Sequence, residues 1–103
     1  MPTLFMVEIV VADAAASRDW YAAALGLRVE LEDPAAGFVL LADGRGGRVA
    51  LKRGTANPGG IVLHFEVADV DAEFRARGIV ADGPVTASPE GYREAFLRDP
   101  DGY

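Results

Sequence analysis

The chain has no cysteine and a single histidine among its 103 residues. Disulfides, thiolate metal sites and thiol nucleophiles are therefore excluded. It also has no run of clustered lysine and arginine, and its formal net charge is −6. Phosphate recognition needs such clusters, so the expected partners exclude nucleic acid and, by the same charge argument, an anionic membrane surface. No apolar run approaches the ~20 residues of a bilayer-spanning helix. The opening residues carry no basic region, and Glu8 interrupts their apolar run, so they do not read as a signal peptide. The expectation is one soluble, cytoplasmic domain, with 50% apolar and 25% charged residues.

Residues 4–11 alternate as a strand, with Phe5, Val7, Ile9 and Val11 on one face and Leu4, Met6, Glu8 and Val10 on the other. Asp13 suits the N-cap of a helix running to about Leu25, and Gly26 suits the left-handed residue that ends it. Ala16, Trp20, Ala23 and Ala24 mark the expected apolar stripe. Residues 27–32 alternate again, with Leu27, Val29 and Leu31 against Arg28, Glu30 and Glu32. After a turn at 33–37, residues 38–42 and 48–53 form a hairpin around Asp43-Gly44 and Gly46-Gly47.

Residues 54–60 are the one linker-like stretch. They divide a first module at 4–53 from a second at 61–103. Residues 61–67 alternate as a strand, with Ile61, Leu63, Phe65 and Val67 opposite Val62, His64 and Glu66. Asp69 or Asp71 caps a helix with Val70 and Phe74 on its buried side, and Gly78 closes it. A short strand begins at Ile79 and Val80, a turn is expected at Ser88-Pro89-Glu90-Gly91, a strand at 93–98, and a turn at Asp99-Pro100-Asp101-Gly102.

The modules read as copies. Val11-Ala12-Asp13 matches Val67-Ala68-Asp69, Gly26-Leu27 matches Gly78-Ile79, and Phe38 with Asp43-Gly44 matches Phe96 with Asp101-Gly102. The order is β-α-β-β-β in the first copy. The second has one residue after Asp101-Gly102, where the first continues into residues 48–53. On this reading the second module lacks its final strand, and the chain is a fragment or a neighbouring chain covers that edge.

Two stretches carry a family resemblance: V-V-A-D-A-A-A-S-R-D-W-Y-A-A-A-L-G-L in the first module, and H-F-E-V-A-D-V-D-A-E-F with G-Y-R-E-A-F-L-R-D-P-D-G in the second. The chain resembles the vicinal oxygen chelate superfamily, which includes glyoxalase I, bleomycin-resistance proteins, fosfomycin-resistance enzymes and extradiol dioxygenases. The bleomycin-resistance and glyoxalase-like subgroup is nearest. The resemblance implies an α+β fold in which two β-α-β-β-β modules curve a sheet around a cavity, with the helices outside. It also implies metal ligands at cavity-facing positions of each first strand, here Met6 and Val62, and of each final strand, here about Arg48. Valine and arginine supply no donor for a divalent ion. No metal and no cofactor are therefore expected.

If Phe5, Ile9, Leu63 and Phe65 face the helices, the cavity is lined by Met6, Glu8, Val62, His64 and Glu66. Phe38 and Phe96 pair by the repeat, with Glu94 two residues before Phe96. The candidate ligand-binding residues are thus Glu8, Phe38, His64, Glu66, Glu94 and Phe96, an acidic and aromatic wall suited to a cationic or planar aromatic ligand. Plainer roles stand beside these: His64 as a hydrogen-bonded structural histidine, Glu8 and Glu66 as solvated carboxylates, both phenylalanines as core. Asp99, Asp101 and Gly102 read as turn chemistry, and Ser88 has no base beside it. The expected function is metal-free binding of a small molecule by a homodimer, sequestering a cationic or aromatic compound. The alternatives are a metal-dependent lyase, isomerase or dioxygenase with a displaced site at Glu8, His64 and Glu66, or a regulatory subunit with a vestigial cavity.

Overall fold

Two aspartates and two glycines set the helices. In the computed structural model, which describes residues 1–87, 89, 91 and 93–103, helix α1 spans Ala14–Leu25. Asp13 sits in extended backbone, and its carboxylate accepts from the Ala16 N–H at 3.0 Å. Gly26 ends the helix at φ 68°, and its N–H returns to the Ala22 carbonyl. Helix α2, Val70–Arg77, repeats both devices. Asp69 accepts from the Ala72 N–H at 3.1 Å, and Gly78 lies at φ 62°. Asp69, not Asp71, is therefore the cap. Asp71 and Glu73 instead occupy the first turn and Arg75 and Arg77 the last, as the helix dipole favours.

The first half of the chain builds a four-stranded sheet from β1 (Val7–Val11), β2 (Arg28–Asp33), β3 (Phe38–Ala42) and β4 (Arg48–Arg53), in the order β1-β4-β3-β2. β1 runs parallel to β4, and the other two pairings are antiparallel. Helix α1 supplies the long connection that returns the chain across the sheet after β1. One sheet face carries Ile9, Val11, Val39, Leu41, Val49 and Leu51. These residues pack with Tyr21 and Leu27 into the core, and Ile9, Val11, Leu41 and Leu51 are at most 1% exposed. Full burial of each such side chain contributes about 1.5–3 kcal/mol.

The stripe of α1 that meets this core is Ser17, Tyr21 and Ala24, at spacings of four and three. Ala16 and Ala23, expected inside, are exposed, and Trp20 is half-buried. In an alanine-rich helix small residues lie on every side, so the apolar pattern sets the face poorly. Ser17 enters the interior because its hydroxyl has a partner there, the Asp101 carboxylate at 3.3 Å.

The alternation of β2 also departs from expectation. Val29 pairs with Leu41 while Leu31 pairs with Leu40, so Glu30 is one extra residue and the ladder carries a bulge. Val29 and Leu31 therefore point to opposite faces, and both are exposed.

The second half is less regular. Residues 61–67 belong to no ladder among the described residues, because no strand lies alongside to exchange hydrogen bonds with them. Leu63 nonetheless packs against the core. Ile79 and Val80 are not strand. The strand expected over 93–98 is reduced to β6 (Arg93–Glu94), which pairs with β5 (Thr86–Ala87). Val70 and Phe74 are half-buried, and no residue of α2 is fully buried. Ser88 and Glu90 of the expected turn lie outside the described residues. The α+β architecture is as expected: a non-closed sheet with α1 against one face.

Candidate functional site

Helix α1 covers one face of the four-stranded sheet; the opposite face, which α1 does not cover, is termed the open face. Pairing register places its residues in rows. Glu8, Ala50, Leu40 and Leu31 lie side by side across the four strands. One step along lie Val10, Lys52, Phe38 and Asp33, and one step the other way Arg48, Ala42 and Arg28. Ala50 and Leu40 are buried in the middle of this face, Phe38 is half-buried, and Glu8 is exposed. The result is an apolar strip bordered by charge.

Each expected site residue has a definite place. Glu8 and Phe38 share the open face. His64 and Glu66 are exposed on segment 61–67. Glu94 is half-buried in β6 opposite Thr86, and Phe96 is 54% exposed just beyond it. Among the described residues, no side-chain hydrogen bond or ion pair joins any two of these six. No group of three histidine, cysteine, aspartate or glutamate side chains among the described residues is placed to hold a metal ion.

Phe5, expected on the helix face with Ile9, is placed otherwise. Its ring lies against the Arg48 guanidinium, 4.8 Å from centroid to the guanidinium carbon. It precedes β1, so the ladder's alternation does not govern it. Arg48 also donates from Nε to both carboxylate oxygens of Glu30, at 3.1 and 3.2 Å. The bulge makes this contact possible by adding Glu30 to β2. No motif marks the Arg48–Glu30–Phe5 group, because its members meet only through the register of three separated segments.

A second polar group ties the last residues to the first module. Asp99 is 5% exposed, and its carboxylate accepts from the Tyr21 hydroxyl at 2.7 Å, the Asp101 N–H at 2.9 Å and the Tyr103 N–H at 2.8 Å. Asp101 accepts from the Ala12 N–H at 3.0 Å and from Ser17. The Tyr103 hydroxyl donates to the Val10 carbonyl at 2.8 Å and accepts from the Asn57 N–H at 3.0 Å. Burial, then the hydrogen bond to the Asp99 carboxylate, push the Tyr21 phenol well above its ordinary range. The aspartates of Asp99-Pro100-Asp101-Gly102 thus serve the turn, as expected, and also latch it to α1 and β1.

The fold is a β-α-β-β-β sheet followed by a second helix capped in the same way, an α+β arrangement. The family model described as Glyoxalase/Bleomycin resistance protein/Dioxygenase superfamily matches residues 3–103, and the chain belongs to that superfamily. Among solved structures, it is similar to TioX from Micromonospora sp. ML1, at 28% identity and TM-score 0.71, covering 99% of this chain and 94% of that one. It is also similar to TnmS3, an antibiotic binding protein from Streptomyces sp. CB03234, at 26% identity and TM-score 0.75, covering 99% and 90%. A lactoylglutathione lyase from Agrobacterium tumefaciens shares the fold, at 23% identity and TM-score 0.67, covering 98% and 89%. Comparison with curated proteins gives no match.

Proposed function

We propose that this chain binds a planar aromatic or cationic small molecule on the open face of its sheet, without a metal ion, and holds it rather than transforms it. The observation that carries this reading is the composition of that face. It sets the half-buried Phe38 ring and the exposed Glu8 carboxylate around a buried apolar centre, Leu40 and Ala50. At the positions where the resemblance places the ligands of metal-using members, the chain has Met6, Val62 and Arg48. A guanidinium repels a divalent cation and cannot coordinate it. Similarity to TnmS3, itself an antibiotic binding protein, supports the same reading. His64, Glu66, Glu94 and Phe96 supply the remaining wall from the second half, with the carboxylates favouring a positive group and the ring a flat one.

The working form in this reading is a cytoplasmic homodimer. β1 and β2 are edge strands, and Ile61, Val62, Phe65, Val67 and Phe96 are 39–66% exposed, apolar surface that a second copy would cover. No helix among the described residues is long and apolar enough to cross a membrane.

Calorimetric titration with a panel of planar aromatic and cationic compounds tests the proposal. Saturable binding that weakens in Glu8→Gln and Phe38→Ala, both still folded, is the expected outcome. A folded protein that binds nothing in the panel refutes it. Stoichiometric metal in protein purified without chelator, lost in Glu8→Gln or His64→Ala, would establish the metal-dependent alternative instead. Sedimentation as a monomer at micromolar concentration would refute the dimer.

A further inference from the structure

The row at one end of the open face is Arg28, Ala42 and Arg48, on three adjacent strands. Two arginines flank a methyl group, and beside them lies a depression of about 170 Å³ lined by Arg28, Val29, Glu30 and Ala42. That volume is below that of a drug-sized pocket but ample for one ring or one charged substituent. The cationic side chains are not equivalent. Arg48 is held from two directions, by Glu30 at Nε and by the Phe5 ring, whose centroid lies 4.8 Å from the guanidinium carbon. Among the described residues its terminal Nη atoms have no protein acceptor, and neither does any nitrogen of Arg28. Glu30 offsets one positive charge and leaves the other uncompensated.

We infer that Arg28 and Arg48 form a subsite for an anionic oxygen group, a carboxylate or phenolate carried at one end of the planar ligand. The inference rests on the open-face reading above and narrows it. Two Nη–H groups in one plane match two oxygens of a carboxylate, and the Phe5 and Glu30 contacts hold the guanidinium in place before a ligand arrives. Ala42 keeps the floor low enough for the group to reach both side chains. The other charges on this face, Glu8, Asp33 and Lys52, lie in the two further rows. A ligand anchored here by its acidic end extends along the face toward the half-buried Phe38 ring, and any positive end falls toward Glu8.

Three isosteric probes test this on the whole chain: 2-naphthoate, neutral 2-naphthamide and 2-naphthylmethylammonium, titrated calorimetrically at low ionic strength. The expected result is naphthoate binding about tenfold tighter than naphthamide, an advantage that added salt removes. Arg48→Gln and Arg28→Gln should each abolish most of that advantage by weakening naphthoate far more than naphthamide. If a variant does not fold, the Arg Nε–H resonances of the unsubstituted protein answer the same question. They should shift on adding naphthoate and not on adding naphthamide, and resonances that stay fixed overturn the subsite. Equal binding of naphthoate and naphthamide, or naphthoate binding unaltered in both variants, overturns it as well. Preference for the ammonium probe overturns the subsite and leaves open-face binding standing. No binding by any probe overturns both.

Discussion

Replacing Tyr21 by phenylalanine removes one oxygen from the interior and leaves the ring where it packs. That oxygen donates to a carboxylate 5% exposed, at 2.7 Å. A hydrogen bond to a charged group contributes about 1.5–3 kcal/mol net. The lower half of that range is expected here, because Asp99 keeps its two backbone donors, Asp101 and Tyr103, and is not stranded without partners. The expected loss is therefore about 1.5–2 kcal/mol, or on the order of 10 °C in Tm for a domain of this size. Urea unfolding followed by Trp20 fluorescence should show a lower midpoint with an unchanged slope. The loss should also be coupled. Asp99→Asn alone and the double variant complete a cycle with an interaction energy above ~1 kcal/mol. Amide exchange at Asp101, Tyr103 and Ala12 should quicken in Tyr21→Phe, since all three N–H groups bond to this latch. A stability change below ~0.5 kcal/mol with no coupling would show that the hydroxyl is equally well served by water, and would refute the latch.

The remaining predictions concern caps and pH. Asp13→Ala should destabilise the protein by about 1 kcal/mol in urea unfolding, by loss of the Ala16 N–H partner. Asp69→Ala should cost less, because α2 is nowhere fully buried and frays at smaller overall expense. At high pH, the raised Tyr21 pKa means the unfolded chain loses this proton first. Its contribution is complete below the ordinary phenol value of 10.0 and is lost as pH rises above it, so Tyr21→Phe should show a flatter stability profile in alkali. At low pH the sign reverses for Asp43, whose carboxylate accepts from the Arg45 and Gly47 N–H groups and is held below its ordinary 3.8. Its contribution is present above that value and lost as pH falls below it, so Asp43→Asn should flatten the acid limb.

The elements that sequence makes legible are those whose causes are local. The cap at Asp13, the stops at Gly26 and Gly78, and the bounds of β3 and β4 each depend on a few adjacent residues, and the structure places all of them as read; of the two aspartates left open for the second cap, it selects Asp69. The two helices also share one cap geometry, as copies of a single unit would. What sequence hides is non-local. The bulge in β2 exists only relative to β3, so alternation within β2 alone gives the wrong face for Leu31. The inward turn of Ser17 depends on Asp101, eighty-four positions away. Residues 61–67 alternate as a strand does, yet a strand also needs a neighbour, which its own residues do not provide. At the open face, Glu8 and Phe38 follow from alternation. The pairing of Glu30 with Arg48, and of Arg48 with Phe5, follows only from register.

The bulge at Glu30 has a genetic consequence. Deleting that one codon would leave Arg28, Val29, Leu31, Glu32 and Asp33 as an unbroken strand facing their present partners, Ala42, Leu41, Leu40, Val39 and Phe38. In a regular strand a one-residue deletion ordinarily turns every later side chain over. Here it would restore regular alternation and remove a single carboxylate beside Arg48. The residue is therefore modular in heredity: a lineage can gain or drop it in one step, retuning the charge of the open face while every other sheet contact of β2 is inherited unchanged.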